Sequence, residues 1–119
     1  MIRNRDNVEA YVTKDRSTIR ELFHPGTSPV EGFSVAEAEV AAGLETDTHV
    51  HKKSQEIYYI LEGAGTMRLG GQSFKVKTGD AILILPGTPH NIKADDGECI
   101  RILCICSPAY SHDDTELLR

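Results

Sequence analysis

The sequence contains no apolar stretch near the roughly 20 residues that a membrane-spanning helix requires. Its opening residues, MIRNRDNVEAYV, hold no apolar run of the kind that defines a secretory signal peptide. We therefore expect a cytoplasmic protein that has no membrane partner.

Long basic runs are absent as well, since 13 Lys and Arg stand against 18 Asp and Glu for a formal net charge of −5. That balance argues against nucleic acid as the main partner. The composition, 39% hydrophobic and 26% charged, is ordinary for a globular protein and argues against disorder. A chain of 119 residues is expected to form a single domain with its own core.

Cysteine is scarce, and its three copies, Cys99, Cys104 and Cys106, fall in one apolar stretch. The odd number and the apolar surroundings predict small buried side chains in a reducing compartment. Cys104 and Cys106 would also share one strand face and can form a metal or redox pair, although zinc sites usually use wider cysteine spacings.

Helix signals are confined to one place. Residues 18–21 resemble a capping box ahead of Leu22 and Phe23, and Pro25 forbids continuation. We predict one short helix near 17–23, followed by a loop over 24–29 in which His24 is a loop histidine.

The remainder consists of short runs of β-branched, aromatic or aliphatic residues separated by Gly, Pro and Asp. Regular short strands with such turns predict an all-β sandwich or barrel. Alternation over residues 8–12 adds a short edge strand. The other predicted strands are 33–40, 48–51, 56–61, 66–69, 73–76, 81–85, 90–93 and 99–106.

Two of these strands, 81–85 and 102–106, are apolar on both faces. A strand of a small barrel should have one wet face unless something covers it. A second subunit is the simplest cover, so we predict a homodimer packed sheet on sheet. The polar tail, 110–116, is expected to close over one end of the barrel or to trail free.

Four residues predict a metal site. His49 and His51 project from the same face of one strand, and the Glu56 carboxylate returns on the next. His90 follows a Pro-Gly turn at the mouth of a later strand and can supply a further ligand. Three imidazoles and one carboxylate suit one divalent transition metal, Zn, Mn, Fe, Ni or Cu. On an octahedral ion they leave two positions open.

The first of two stretches that resemble the cupin superfamily is Gly43-x₅-His49-x-His51-x₄-Glu56-x₆-Gly63, which is similar to the first signature motif at every required position. Gly79-x₇-Gly87-x₂-His90 resembles the second motif. The two motifs stand in the right order and span about 43–94.

This chain departs from the second motif in two places. The usual proline position holds Leu85, with Pro86 next to it, and the late asparagine position holds Ala94, while Asn91 lies beside the histidine. Both departures concern the turn and the strand end and leave the ligand positions intact.

The resemblance implies a double-stranded β-helix, or jelly-roll cupin barrel, here with one short N-terminal helix. It implies His49, His51, Glu56 and His90 as metal ligands. It also implies one cupin domain over 1–119, with an arm at 1–30, the barrel at 31–106 and a tail at 107–119. Small single-domain bacterial members of this kind are often labelled mannose-6-phosphate isomerase-like.

Three residues are candidates for contacting a substrate. Tyr58 shares a strand face with Glu56, so its phenol either holds a substrate oxygen or fills the core. Arg101 lies in an apolar strand, so it either clamps an anion or forms a salt bridge. Met67 is either barrel filling or pocket wall. No catalytic residue stands out.

Two classes of function fit these features. One is a metal-dependent enzyme, an isomerase-like protein, a dioxygenase or a decarboxylase, acting on a small carboxylate or sugar-like molecule. The other is a module that binds or senses such a molecule without turnover. Sugar-phosphate isomerisation would need a phosphate clamp and a free base, and the sequence shows neither.

Overall fold

The computed structural model of the protein describes residues 1–118. Eleven strands in that range form two antiparallel sheets, and the all-β prediction is confirmed. The strands are β1 (Tyr11–Val12), β2 (Thr18–Phe23), β3 (Ser34–Val40), β4 (His49–His51), β5 (Gln55–Glu62), β6 (Ala64–Leu69), β7 (Gln72–Lys77), β8 (Ala81–Ile84), β9 (His90–Ala94), β10 (Ile100–Ser107) and β11 (Thr115–Leu117).

Each sheet brings together strands that are far apart in the chain. The six-stranded sheet has the order β1-β2-β3-β10-β5-β8, and the five-stranded sheet has the order β11-β4-β9-β6-β7. Sequential strands β4 and β5 therefore lie in different sheets. This exchange places the histidines of β4 on one wall of the interior and Glu56 of β5 on the other.

Alternation along the strands decides which side chains enter the interior. In β5, Glu56, Tyr58 and Ile60 are buried, while Ile57 and Tyr59 between them are exposed. Successive side chains of a strand point to opposite faces, so the buried set faces the other sheet. The core fills one part of the space between the sheets and the predicted metal ligands fill another.

The short N-terminal helix predicted near 17–23 is wrong. Residues Thr18–Phe23 form strand β2, which pairs with β3, and Ile19 lies opposite Ala38. Pairing along a whole neighbouring strand supplies more backbone hydrogen bonds than a helix of this length can, which overrides the local capping signal. Within residues 1–118, the one helical element is a 3₁₀ turn at Arg5–Asn7.

Three smaller expectations are also revised. Cys99 is exposed, because it precedes β10, whereas Cys104 and Cys106 are buried inside that strand as predicted. The edge strand expected over 8–12 shortens to Tyr11–Val12. The polar tail does not trail free, since Thr115–Leu117 pairs with β4.

In the part of the chain that the structure describes, no helix has the length and apolar character needed to cross a membrane.

Candidate metal centre

Three histidines converge between the sheets. His49 and His51 come from β4, and His90 begins β9, directly opposite His49 in the strand register. One nitrogen from each imidazole lies within 4.8 Å of the others, and all three side chains are buried. This arrangement is that of a group able to hold one metal ion, as the sequence predicts.

In two of these rings, the Nδ1 atom is hydrogen bonded to a backbone carbonyl. Nδ1 of His49 lies 2.8 Å from the carbonyl oxygen of Asp47, and Nδ1 of His90 lies 2.9 Å from that of Thr88. A carbonyl oxygen only accepts, so each Nδ1 carries the hydrogen. In the neutral ring, Nε2 then has a free lone pair facing the interior, as metal-binding histidines require.

His51 is oriented by the C-terminal strand. Its Nδ1 lies 3.0 Å from the hydroxyl oxygen of Thr115, and that hydroxyl donates to the carbonyl of Ser111 at 2.9 Å. With its hydrogen used in that way, the Thr115 oxygen accepts from His51 Nδ1. This tautomer frees Nε2 of His51 for a metal, while the other tautomer donates from Nε2 to Glu56 at 3.1 Å.

His90 has the clearest ligand character of the three. Its Nε2 atom is buried and makes no hydrogen bond with any described residue. Burial lowers the pKa of His90 to about 4, helped by the nearby His49, so the ring is neutral at pH 7. A buried, unpaired, neutral nitrogen costs free energy unless something binds it.

Glu56 stands beside two of the three rings. Its Oε1 lies 3.1 Å from Nε2 of His51 and 3.8 Å from Nε2 of His90, and its Oε2 accepts from the Cys106 thiol at 3.0 Å. Burial raises the pKa of Glu56, but in the form in which His51 donates from Nε2, that hydrogen bond and the Cys106 thiol outweigh burial and the pKa is lowered. The three histidines form one group, and Glu56 lies beside His51 and His90.

Asp15 is a site residue that the sequence analysis missed. Its carboxylate is buried, and Oδ2 lies 3.7 Å from Nε2 of His49. It reaches the histidines from the turn before β2. No motif marks this position, because the contact depends on how the N-terminal strands fold across the barrel.

A cavity of about 60 Å³ lies beside the histidines. It holds a few water-sized groups, since one water needs about 10–15 Å³ on this measure. Acidic groups, phenols, Ser and Thr hydroxyls and two histidines contribute polar atoms to its wall, and no Lys or Arg among residues 1–118 lines it. The acids are Asp15, Glu21 and Glu56, and the phenols are Tyr11, Tyr58 and Tyr110.

The three predicted substrate contacts differ in their position relative to the cavity. Tyr58 lines the cavity. Met67 is fully buried in the core and is not part of the cavity wall. Arg101 lies outside the cavity, where its guanidinium donates to Glu62 at 2.9 Å and to Glu37 at 3.4 Å. The salt-bridge interpretation of Arg101 therefore describes what the structure shows.

Comparison with known families agrees with this fold. The sequence matches the Cupin domain family over residues 36–106, which is more than half of the chain. The protein therefore belongs to the cupin family.

Individual relatives and solved structures are also similar to the chain. The uncharacterized protein MJ1618 of Methanocaldococcus jannaschii is 50% identical over 113 residues, covering 95% of this chain and 90% of the relative. The polyketide cyclase RemF of Streptomyces resistomycificus is 27% identical, with a TM-score of 0.76 over 96% of this chain and 89% of that one. A predicted oxalate decarboxylase of Thermotoga maritima superposes with a TM-score of 0.80 at 19% identity, over 91% of this chain and 99% of that one, and shows the shared fold.

Proposed function

We propose that the protein is a metal-dependent cupin enzyme that binds a small oxygen-bearing molecule at His49, His51, His90 and Glu56. The observation that carries this is His90 Nε2, which is buried without a hydrogen-bond partner in the described chain beside two more inward-facing imidazoles. Such a donor set suits a first-row divalent ion. Bound there, the ion would act as a Lewis acid on a carbonyl or hydroxyl oxygen of the ligand.

The chain's own residues prepare that chemistry in three ways. The carbonyls of Asp47 and Thr88 hold His49 and His90 in the binding tautomer. The Cys106 thiol fixes the second oxygen of Glu56. The phenol of Tyr58, on the strand face of Glu56, is placed to hydrogen bond to a ligand oxygen in the cavity.

The charge of the cavity wall, apart from a bound metal ion, disfavours a phosphate group. Asp15, Glu21 and Glu56 contribute negative charge, and within residues 1–118 no cationic side chain lines the wall. Phosphate binding usually relies on Arg, Lys or a helix N-terminus. We therefore favour a neutral hydroxy-carbonyl or sugar-like molecule over a sugar phosphate, and we do not favour the mannose-6-phosphate isomerase-like label.

The similarity to RemF supports a catalytic role. RemF is a polyketide cyclase that is 27% identical to this chain. The alternative is a protein that binds a small molecule in this cavity of about 60 Å³ without turnover. An enzyme turns over a ligand that a binding protein only holds. Exchange of the α-protons of hydroxyacetone in D₂O, followed by NMR with the metal-loaded protein, therefore tests for catalysis.

The metal claim is tested by metal analysis and zinc titration of the purified protein. We expect one equivalent bound by the wild type and a large loss of affinity in His90→Ala. His112→Gln is the matched control, because His112 is an exposed histidine outside the group. A wild-type protein that binds no divalent metal, or a His90→Ala variant that binds it equally well, would refute the proposal.

Ligand class is tested with a matched pair. Dihydroxyacetone and dihydroxyacetone phosphate differ only in the phosphate. If the cavity charge selects as proposed, the metal-loaded protein binds the neutral member at least as tightly as the phosphate. Much tighter binding of the phosphate would contradict the assignment to neutral molecules while leaving the metal site intact.

A further inference from the structure

The turn that follows His51 is held by one residue of the C-terminal segment, residues 111–117. This turn, residues 52–54, connects β4 to β5, and all three of its backbone N–H groups donate to Asp114. The N–H of Lys52 donates to the backbone carbonyl of Asp114 at 2.9 Å. The N–H groups of Lys53 and Ser54 donate to its Oδ1 and Oδ2 at 2.8 Å and 3.0 Å. One turn therefore engages both carboxylate oxygens and the carbonyl oxygen of Asp114.

Strand β4 also depends on the C-terminal segment for its place in the sheet. The strand is three residues long, and its pairing with β9 is a single register pair, His49 with His90. Strand β11, in contrast, pairs with all three residues of β4. The carbonyl of His51 accepts one further bond, from the backbone N–H of Gly87 at 2.8 Å. The strand that carries two of the three histidines is thus supported along its length by the C-terminal segment.

The turn separates two groups of the site that lie in different sheets. His51 ends β4 of the five-stranded sheet, and Glu56 lies on β5 of the six-stranded sheet, with residues 52–55 between them. Nε2 of His51 nevertheless lies 3.1 Å from Oε1 of Glu56. Because the two strands belong to different sheets, hydrogen bonds between strands do not set this separation. The path of the turn sets it.

A carboxylate is well suited to hold such a turn. Hydrogen bonds from N–H groups to an ionised oxygen are roughly twice as strong as those to a neutral one. Asp114 is itself held in place, since its backbone N–H donates to the carbonyl of Ser111 at 3.2 Å and the next residue, Thr115, begins β11. A shorter apolar side chain at position 114 would leave two N–H groups of the turn to water and would free the turn to take other paths.

We propose that Asp114 is a positioning residue of the metal centre, which acts through this turn to place His51 within the three-histidine group and beside Glu56. The inference rests on the proposed metal-binding function. The C-terminal segment then supports His51 at two points, because Thr115 orients its ring and Asp114 fixes the backbone that follows it.

Zinc and cobalt binding test this role. We expect Asp114→Ala to bind zinc about tenfold or more weakly than the wild type, the usual effect of removing a group that orients a ligand. Its Co²⁺-loaded absorption spectrum should also change, since the d–d bands report the number and arrangement of the ligands. Asp113→Ala is the matched control, because Asp113 is the neighbouring carboxylate and is exposed, and the bonds of the turn go to Asp114. Both variants remove one negative charge, so the difference between them excludes a general effect of charge on cation binding.

Two further measurements separate positioning from a merely structural role. A merely structural residue would lower the unfolding free energy in EDTA and leave the zinc affinity and the Co²⁺ spectrum of the folded protein unchanged. The metal titrations are therefore made under conditions in which urea unfolding shows each variant to be fully folded. Asp114→Asn keeps one oxygen that can accept from one N–H group of the turn, so it should lose less zinc affinity than Asp114→Ala.

The outcomes distinguish this inference from the metal function. Equal zinc affinity and the same Co²⁺ spectrum in Asp114→Ala and Asp113→Ala would overturn the role of Asp114 and leave the metal site intact. A wild type that binds neither ion would refute the metal function, and the role of Asp114 with it. If Asp114→Ala fails to fold, Asp114→Asn takes its place, and wild-type affinity and spectrum in that variant would overturn the proposal.

Discussion

The thiol of Cys106 lies 3.0 Å from Oε2 of Glu56 and donates a hydrogen bond to it. Burial, together with the negative charge of Glu56, raises the pKa of Cys106, so the sulfur keeps its hydrogen at neutral pH. The bond occupies one carboxylate oxygen and leaves Oε1 facing His51 and His90. Cys106 therefore orients a metal ligand without joining the histidine group itself.

Cys106→Ala should weaken metal binding by about 10- to 100-fold, the usual effect of removing a partner that orients a ligand. Cys106→Ser, which retains a donor, should recover most of the affinity. Cys104→Ala is the control, because Cys104 is a second buried thiol of the same strand and cavity that does not bond to Glu56. Equal zinc affinity in Cys106→Ala and Cys104→Ala would contradict the role given to Cys106.

Thr115 should act in the same way on His51. Thr115→Val removes the oxygen that accepts from His51 Nδ1, and we expect roughly tenfold weaker zinc binding in a competition titration. Thr115→Ser should bind normally. Thr88→Val provides the contrast, since Thr88 orients His90 through its backbone carbonyl, which the substitution preserves. A normal affinity in Thr115→Val would show that the tail does not orient the site.

The strands and the four predicted ligands followed from sequence for identifiable physical reasons. Alternation of buried and exposed positions in β5 and β10 is a local pattern, and Gly or Pro marks most of the strand ends. The spacing of His49, His51 and Glu56 encodes a strand, a turn and a returning strand. His90 was predicted as a ligand because it follows a turn that contains Gly and Pro, the residues that also mark the other strand ends.

What the sequence could not reveal depends on contacts between distant segments. The capping signal near Thr18 is local, whereas strand β2 exists because β3 lies next to it. Asp15 and Thr115 reach His49 and His51 from opposite ends of the chain. Neither has a spacing to a histidine that a local pattern could detect. Cys106 was expected to be buried, but its bond to Glu56 follows only from the pairing of β10 with β5.

The stability of the metal-free protein should fall as the pH drops from 6.5 toward 4. The pKa of His90 is about 4 in the folded protein and 6.5 in its ordinary state, so the unfolded chain binds more protons in this interval. The free energy of unfolding therefore rises with pH between these values and gains nothing from His90 above them. The full shift corresponds to roughly 3 kcal/mol at about 1.4 kcal/mol per pKa unit.

Urea unfolding in EDTA at several pH values measures this dependence. His90→Gln cannot titrate, so its unfolding free energy should change less over the same interval. Glu56, whose pKa is lowered, adds a dependence of the same sign at the acidic end, and that part should persist in the variant. A wild-type unfolding free energy that is constant between pH 6.5 and 4 would contradict the prediction.

Gly65→Ala should destabilise the barrel by more than about 2 kcal/mol, as backbone displacement in a packed sheet does. A Cβ at Gly65 would lie 2.2 Å from the carbonyl oxygen of Lys93 on the paired strand β9. Gly71→Ala is the control, because a Cβ there meets nothing within 4 Å. Thermal and urea unfolding compare the two variants. Equal unfolding free energies for Gly65→Ala and Gly71→Ala would contradict the prediction.

The outer face of the six-stranded sheet carries apolar side chains that a single copy leaves in water. Ile57 and Leu83 lie opposite each other on β5 and β8, and they are 40% and 55% exposed. Tyr59, on the same face of β5, is 42% exposed. Contiguous apolar surface of this kind is typical of a contact site. We propose that a second copy of the chain covers it, with the two sheets packed face to face.

Light scattering coupled to gel filtration should therefore give the mass of a dimer for the wild type in dilute solution. Leu83→Lys places a charge in the proposed contact and should shift the mass to that of a monomer, because desolvating an unpaired charge opposes association. Leu44→Lys is the matched control, since Leu44 is 61% exposed but lies in the loop after β3. A wild type that elutes with the monomer mass would rule out the dimer, and the apolar face would then need another partner.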